Sequence, residues 1–155
     1  MKKTLIALAI AFTCFAAQSF AQKLTLKNTT TCSNVEFIVY AHDCSTCSPY
    51  NTTCSLVSNV ISLAPGTSVT FANVTNLNLS PGWTGSVLAA GGAGSGWDGV
   101  TFNTPGATCT ATALGISSCI TTNTSALLLS CPCIDWHGVW QTIGSNYVVN
   151  ITDWN

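Results

Sequence analysis

The sequence predicts an all-β domain, a disulfide-stapled antiparallel β-sandwich of Ig-like or jelly-roll-like type with about 8–10 short strands. Three observations predict it. Short runs rich in Val, Ile, Thr, Phe and Tyr recur between Gly, Pro, Asn and Ser clusters. Nowhere does an apolar period of 3.6 residues persist through three helical turns. After residue 21 the cysteines are even in number, as a disulfide framework requires.

The elements follow in chain order. Lys23 to Lys27 alternates strictly, with Leu24 and Leu26 on one face. Val35 to Ala41 is a second strand whose faces are Val35/Phe37/Val39 and Glu36/Ile38/Tyr40. The cysteine-rich stretch from His42 to Cys54, with Pro49 and Asn51, is expected as a loop. Leu56 to Leu63 forms a third strand, Ala64-Pro65-Gly66 a turn, and Thr67 to Val74 a strand with Val69 and Phe71 inward. Pro81-Gly82 turns the chain into a further strand from Trp83 to Ala89. Gly91 to Gly96 is expected as a surface loop. It has neither the Lys nor the strand–loop–helix setting of a phosphate cradle. Trp97 to Phe102, Thr108 to Thr112 and Ala126 to Ser130 are short strands, and Ile134 to Ile143 pairs with Tyr147 to Thr152 as a closing hairpin through Gly144-Ser145-Asn146.

The first 21 residues are expected to lie outside the fold. Met1-Lys2-Lys3 is basic, Thr4 to Ala17 is apolar, and Ser19-Phe20-Ala21 places small residues at a cleavage site. That apolar run, about 14 residues, is too short for a bilayer that needs roughly 20. Ala11-Phe12-Thr13 before Cys14 is a poor match to a lipoprotein signal. A cleaved bacterial Sec-type signal peptide, 1–21, then leaves one β-sandwich domain, 22–155, secreted, extracellular or periplasmic, with no membrane span.

Within 22–155 the cations are Lys23 and Lys27, and the acids are Glu36, Asp43, Asp98, Asp135 and Asp153. Arginine is absent from the chain. A surface without basic clusters cannot neutralise phosphates, which excludes nucleic acid as a partner. The exterior is instead built from Thr, Ser, Asn and Gly. So little charge weakens the repulsion between copies and leaves strand edges open to pairing, so self-association is one expectation. Six Asn-x-Ser/Thr triplets, at Asn28, Asn51, Asn73, Asn78, Asn123 and Asn150, carry no weight beside a bacterial signal.

The eight remaining cysteines are Cys32, Cys44, Cys47, Cys54, Cys109, Cys119, Cys131 and Cys133. Export favours oxidation, so structural disulfides are expected, and their pairing stays open. Cys131 and Cys133 flank Pro132 and each needs its own partner, Cys109 and Cys119 are placed to close one loop, and one local bridge is expected among Cys44, Cys47 and Cys54. The Cys44-x-x-Cys47 spacing lacks the helix of a redox motif, and a four-thiolate zinc site is the weaker use of these residues.

One resemblance attaches to this opening. An Asn-bearing strand, then Cys32, an aromatic strand, and Leu63-x-Pro65-Gly66-x-Ser68 resemble thaumatin-like proteins over about 50 residues. The resemblance is one of β-sandwich grammar, and nothing about activity is carried over from it, because the Arg and acidic residues that mark that family's cleft are missing.

Two constellations bear on function. Asp135-Trp136-His137 places Asp135 and His137 on one strand face, about 6.6 Å apart at strand rise. Together with His42 and Asp43 they form the candidate metal set, against the plain alternative of two polar patches. The tryptophans are the second. Trp136 and Trp140 share a strand face about 13 Å apart, fit either to fill the core or to form a platform for sugar rings, the core being favoured. Trp83 and Trp97, beside glycines, are expected to be exposed. Trp83, Trp97, Asp98, Trp136 and Trp140 are the candidate ligand-binding residues. No nucleophile elbow and no favoured carboxylate pair is present, so no catalytic residue and no cofactor are expected. The expected function is a non-catalytic binding module, taking carbohydrate through Trp-bearing loops, with an extracellular glycan or another surface protein as partner. The alternatives are a structural or adhesive subunit assembling through strand edges, and a small secreted hydrolase or toxin-like effector.

Overall fold

The computed structural model describes residues 22–43, 55–84, 95–106, 111–129 and 135–154. They form two sheets. Sheet A orders β5 (Thr67–Phe71), β1 (Leu24–Asn28), β10 (Asn146–Trp154), β9 (Asp135–Ile143) and β8 (Ser125–Leu128). Sheet B orders β3 (Ser55–Val57), β2 (Val35–His42), β6 (Gly96–Asn103) and β7 (Thr112–Gly115), with β4 (Ile61–Leu63) also on β2. A single 3-10 turn, Val74–Asn78, is the helical element among the described residues. The expected signal peptide, Gly91, Gly92 and Gly94, residues 85–89 of the strand expected from Trp83, and Cys44, Cys47, Cys54, Cys109, Cys131 and Cys133 fall outside the described residues.

Alternation builds both sheets. Leu24 and Leu26 of β1, and Val35, Phe37, Val39 and Ala41 of β2, all point into one core. Among the described strands one pairing is not antiparallel: β1 runs parallel to β10, Leu24 opposite Tyr147 and Asn28 opposite Ile151. Parallel neighbours need a long connection, and the rest of the domain between them supplies it. At the end of β1, buried Asn28 ties the sheets together. Its amide donates to the Leu63 carbonyl at 2.8 Å and the Ser33 carbonyl at 3.0 Å, and its oxygen accepts from the Thr30 backbone and hydroxyl.

Three expected strands come out differently. Leu56–Leu63 is divided into β3 and β4. Tyr40 pairs with Val57 and Phe37 with Ile61, so Ile38 and Val39 face three residues, Ser58 to Val60. The extra residue is accommodated because the Ser58 hydroxyl accepts the Val39 N–H at 2.9 Å while the Ser58 N–H donates to the Val39 carbonyl. The strand from Thr67 ends at Phe71 instead of Val74. Asn73 takes the chain out of the sheet by capping the 3-10 turn: its side chain accepts the Asn76 N–H and the Asn76 side chain accepts its own. Val74 and Leu77 of that turn then plug the core. The strand expected at 108–112 lies largely outside the described residues, and the strand that pairs with β6 on the side away from β2 is Thr112–Gly115. The closing hairpin forms with a two-residue loop. Ile143 pairs with Asn146, and Gly144 takes φ 63°, which the primed hairpin turns require.

The sheets meet where Phe102 of β6 lies against Gly138 of β9. A Cβ at Gly138 would fall 2.6 Å from the Phe102 ring and 3.0 Å from Leu114. Gly138 is therefore the gap into which the facing sheet packs, with Trp136 and Trp140 on either side of it along the same inner face. Overpacking a dense core typically costs about 1–3 kcal/mol. Gly138→Ala is expected to lower unfolding free energy by about that amount in urea titrations, and an unchanged midpoint would show that the two sheets are not tightly fitted here.

Candidate functional site

The four tryptophans expected to bear a ligand are all core residues. Trp136 and Trp140 are 1 % and 3 % exposed, because β9 turns its even-numbered residues inward around Gly138. Trp140 packs against Tyr147, ring centroids 5.3 Å apart. Trp83 was expected on the surface and is buried instead. Its indole N–H donates to the Asn78 side chain at 2.7 Å, which draws the ring under the 3-10 turn, and its backbone bridges to Ser58. Trp97 is buried as well, against Phe71, with its N–H on the Gln22 carbonyl at 2.6 Å.

Exposed indole surface belongs to Trp154, 46 % accessible at the end of β10. Inward Tyr147, Val149 and Ile151 set the parity that sends Asn150, Thr152 and Trp154 outward. The same alternation is visible in the sequence and would have singled out Trp154 once the inward face was known. On the outer face of sheet A, Trp154 is in register with Asp135, and Thr152 with His137, which in turn faces Leu127 of β8. The His137 ring stands edge-on to Trp154 at 5.0 Å and 65°, and its Nε2 is 2.8 Å from the Ser125 hydroxyl. Asp135 and His137 thus share an outer face with an exposed aromatic ring, bounded by exposed Leu127 and Leu129.

His42 and Asp43 do not join them. His42 ends β2 in sheet B and pairs with Gly96 on that sheet's outer side, whereas His137 is on the outer side of sheet A. The core lies between them, about 10 Å from sheet to sheet. Among the described residues no group of three His, Cys, Asp or Glu side chains is placed to hold a metal. His42 instead meets Asp98, Nδ1 to Oδ1 at 2.9 Å.

A bulge makes that pair. In simple alternation Asp98 would share the inward face of Val100 and Phe102, and Trp97 would point out. The register shifts between Tyr40 and Ala41: Gly99 pairs with Tyr40 and Trp97 with Ala41, leaving Asp98 as the extra residue. Trp97 takes the inward position beside buried Ala41, and Asp98 turns toward His42. The pair borders an open cleft of about 500 Å³ at the end of the sandwich where β2 finishes and β1, β6 and β10 begin. Gln22, Ile116, Ser117, Ser118 and Tyr147 supply its other walls.

Burial pushes the Tyr147 phenol above its ordinary value of 10.0. The unfolded phenol then ionises first as pH rises, so this contribution to stability is complete below about pH 10 and is lost above it. Urea midpoints are expected to fall above that pH in the native chain and to fall less in Tyr147→Phe. An identical decline in both would assign it to another group. Compared with known proteins, the chain matches no family model, no curated protein and no solved structure.

Proposed function

We propose that this chain is an exported, disulfide-stapled, non-catalytic binding module that holds carbohydrate on the outer face of sheet A. The observation that carries the reading is Trp154, an exposed indole held edge-on by His137 on a regular sheet face. Sugar rings present apolar C–H faces that stack on such rings, while flanking polar groups take their hydroxyls. Asp135, Thr152 and Asn150 occupy the flanking outward positions of the same face. The near absence of cations within 22–155 suits a neutral ligand better than an anionic one.

Export rests on the tripartite pattern of residues 1–21. The disulfide reading is supported by Cys32 and Cys119, which are both disulfide-bonded. Among the described residues no helix is long and apolar enough to cross a membrane.

Trp154→Ala is the direct test. Glycan-array screening followed by calorimetry on the best ligand is expected to show a several-fold to roughly tenfold loss of affinity, the scale of one aromatic contact. Folding stability should change by no more than about 0.5 kcal/mol, as for an exposed residue. Equal binding by the native chain and the variant would remove sheet A's face from consideration.

A second reading, assembly through strand edges, draws on β8, which ends sheet A among the described residues and carries exposed Leu127, with Leu129 just beyond it. It predicts a mass that grows with concentration in light scattering, and Leu127→Lys should return the protein to monomer. A mass that stays monomeric across the concentration range would exclude it.

A further inference from the structure

We propose that the end cleft is a second binding site, selective for a neutral, hydroxyl-bearing small molecule of about monosaccharide size, in which His42 Nε2 accepts the ligand's O–H and Asp98 positions the ring. The site is at the opposite end of β10 from Trp154, between the sheets, and its argument does not depend on the outer face of sheet A.

Chemistry fixes the direction of the His42–Asp98 bond. An ionised carboxylate can only accept, so His42 Nδ1, 2.9 Å from Asp98 Oδ1, carries the proton. In the neutral ring, a proton on Nδ1 directed at Asp98 leaves the lone pair at Nε2. Asp98 is 4 % exposed and is held by the bulge in β6, so the ring orientation is imposed by backbone geometry. His42 Nε2 has no hydrogen-bond partner among the described residues.

Gly96 leaves that atom accessible. His42 and Gly96 are cross-strand partners, and a Cβ on Gly96 would fall 2.8 Å from His42 Cε1 and 2.9 Å from Nε2. Any larger residue would cover the acceptor or push the ring off Asp98. The missing side chain gives the edge of the imidazole its opening onto the cleft, which Gly96 and His42 both line.

The walls define the ligand class. Ser117, Ser118 and Gln22 bring polar groups to the space, Ile116 and Tyr147 bring apolar surface, and among the described residues no Lys lines it. An anion would meet Asp98 with no lysine among the described lining residues to offset it. A volume of about 500 Å³ falls within the usual range for small-molecule sites, roughly 300–1,000 Å³. A fixed acceptor at one wall and hydroxyls at another match a ligand with several O–H groups, and a site built on such bonds discriminates against analogues that lack them.

The test uses the mature, oxidised chain labelled with nitrogen-15. Long-range proton–nitrogen spectra should show His42 protonated at Nδ1, and titration with methyl glycosides of glucose, galactose, mannose and N-acetylglucosamine should produce a saturable shift at Nε2 with at least one of them. Ethylammonium and acetate serve as cationic and anionic probes and are expected to leave it unmoved. His42→Ala should weaken the glycoside by about tenfold, the scale of one hydrogen bond. Asp98→Asn should move the ring proton to Nε2 and abolish the shift, a change of tautomer that simple loss of folding would not produce. Gly96→Ala, which leaves every polar group of the site in the chain, should do the same by covering Nε2, and Trp154→Ala should leave the His42 response intact. Binding of ethylammonium in preference to every glycoside would overturn the proposal, as would a silent His42 throughout or an undiminished affinity in folded Gly96→Ala.

Discussion

The contact between Phe102 and Gly138 is the constraint on which this sandwich depends. Two sheets can share one core only if their inner faces interdigitate, and here an aromatic ring from β6 occupies the space that a side chain on β9 would have taken. Trp136 and Trp140 are then committed to the interior on either side of that ring. With the inner face of β9 so determined, Asp135, His137 and Val139 must look outward. The hairpin register carries the same decision to β10, where it presents Trp154 and Thr152 beside them. The outer face of sheet A is thus a consequence of how the core closes.

The opposite sheet uses irregularity to the same end. One extra residue in β6 exchanges the faces of Trp97 and Asp98. The exchange is favourable at both positions. A large indole enters the core with its N–H on the Gln22 carbonyl, and a carboxylate that would have been stranded among Val100 and Phe102 finds His42. The second irregularity, at Ser58, works on the other side of β2: a hydroxyl stands in for a ladder acceptor and lets the edge strand bend where Trp83 packs. β2 therefore lies between two bulged neighbours, and the cleft opens at the end of β2 where the β6 bulge lies.

Polar ties reinforce this arrangement. Asn28 joins the end of β1 to Leu63 of β4 across the sheets, and Asp153 accepts from both the backbone and the hydroxyl of Thr31, holding the segment that carries Cys32 against β10. The parallel pairing of β1 with β10 brings the first and last described strands into one sheet. Each of these bonds involves groups far apart in the chain, so each becomes satisfied only once the sandwich is assembled.

Much of the architecture was legible from periodicity. Strict alternation at Leu24/Leu26 and Val35/Phe37/Val39, the turn at Pro65-Gly66 and the closing hairpin at Gly144 are local signals, because side-chain parity and positive φ are properties of a few adjacent residues. The lack of any sustained helical period and the scarcity of charge likewise belong to the chain alone. The tertiary structure decided everything that requires a partner strand. It placed the bulge that turned Trp97 in and Asp98 toward His42, buried Trp83 under the 3-10 turn, separated His42 from His137 by the full thickness of the core, and left Trp154 as the exposed indole. A bulge is a mismatch between two strands and has no signature in either one, so the face on which a residue lies was settled by pairing and not by composition.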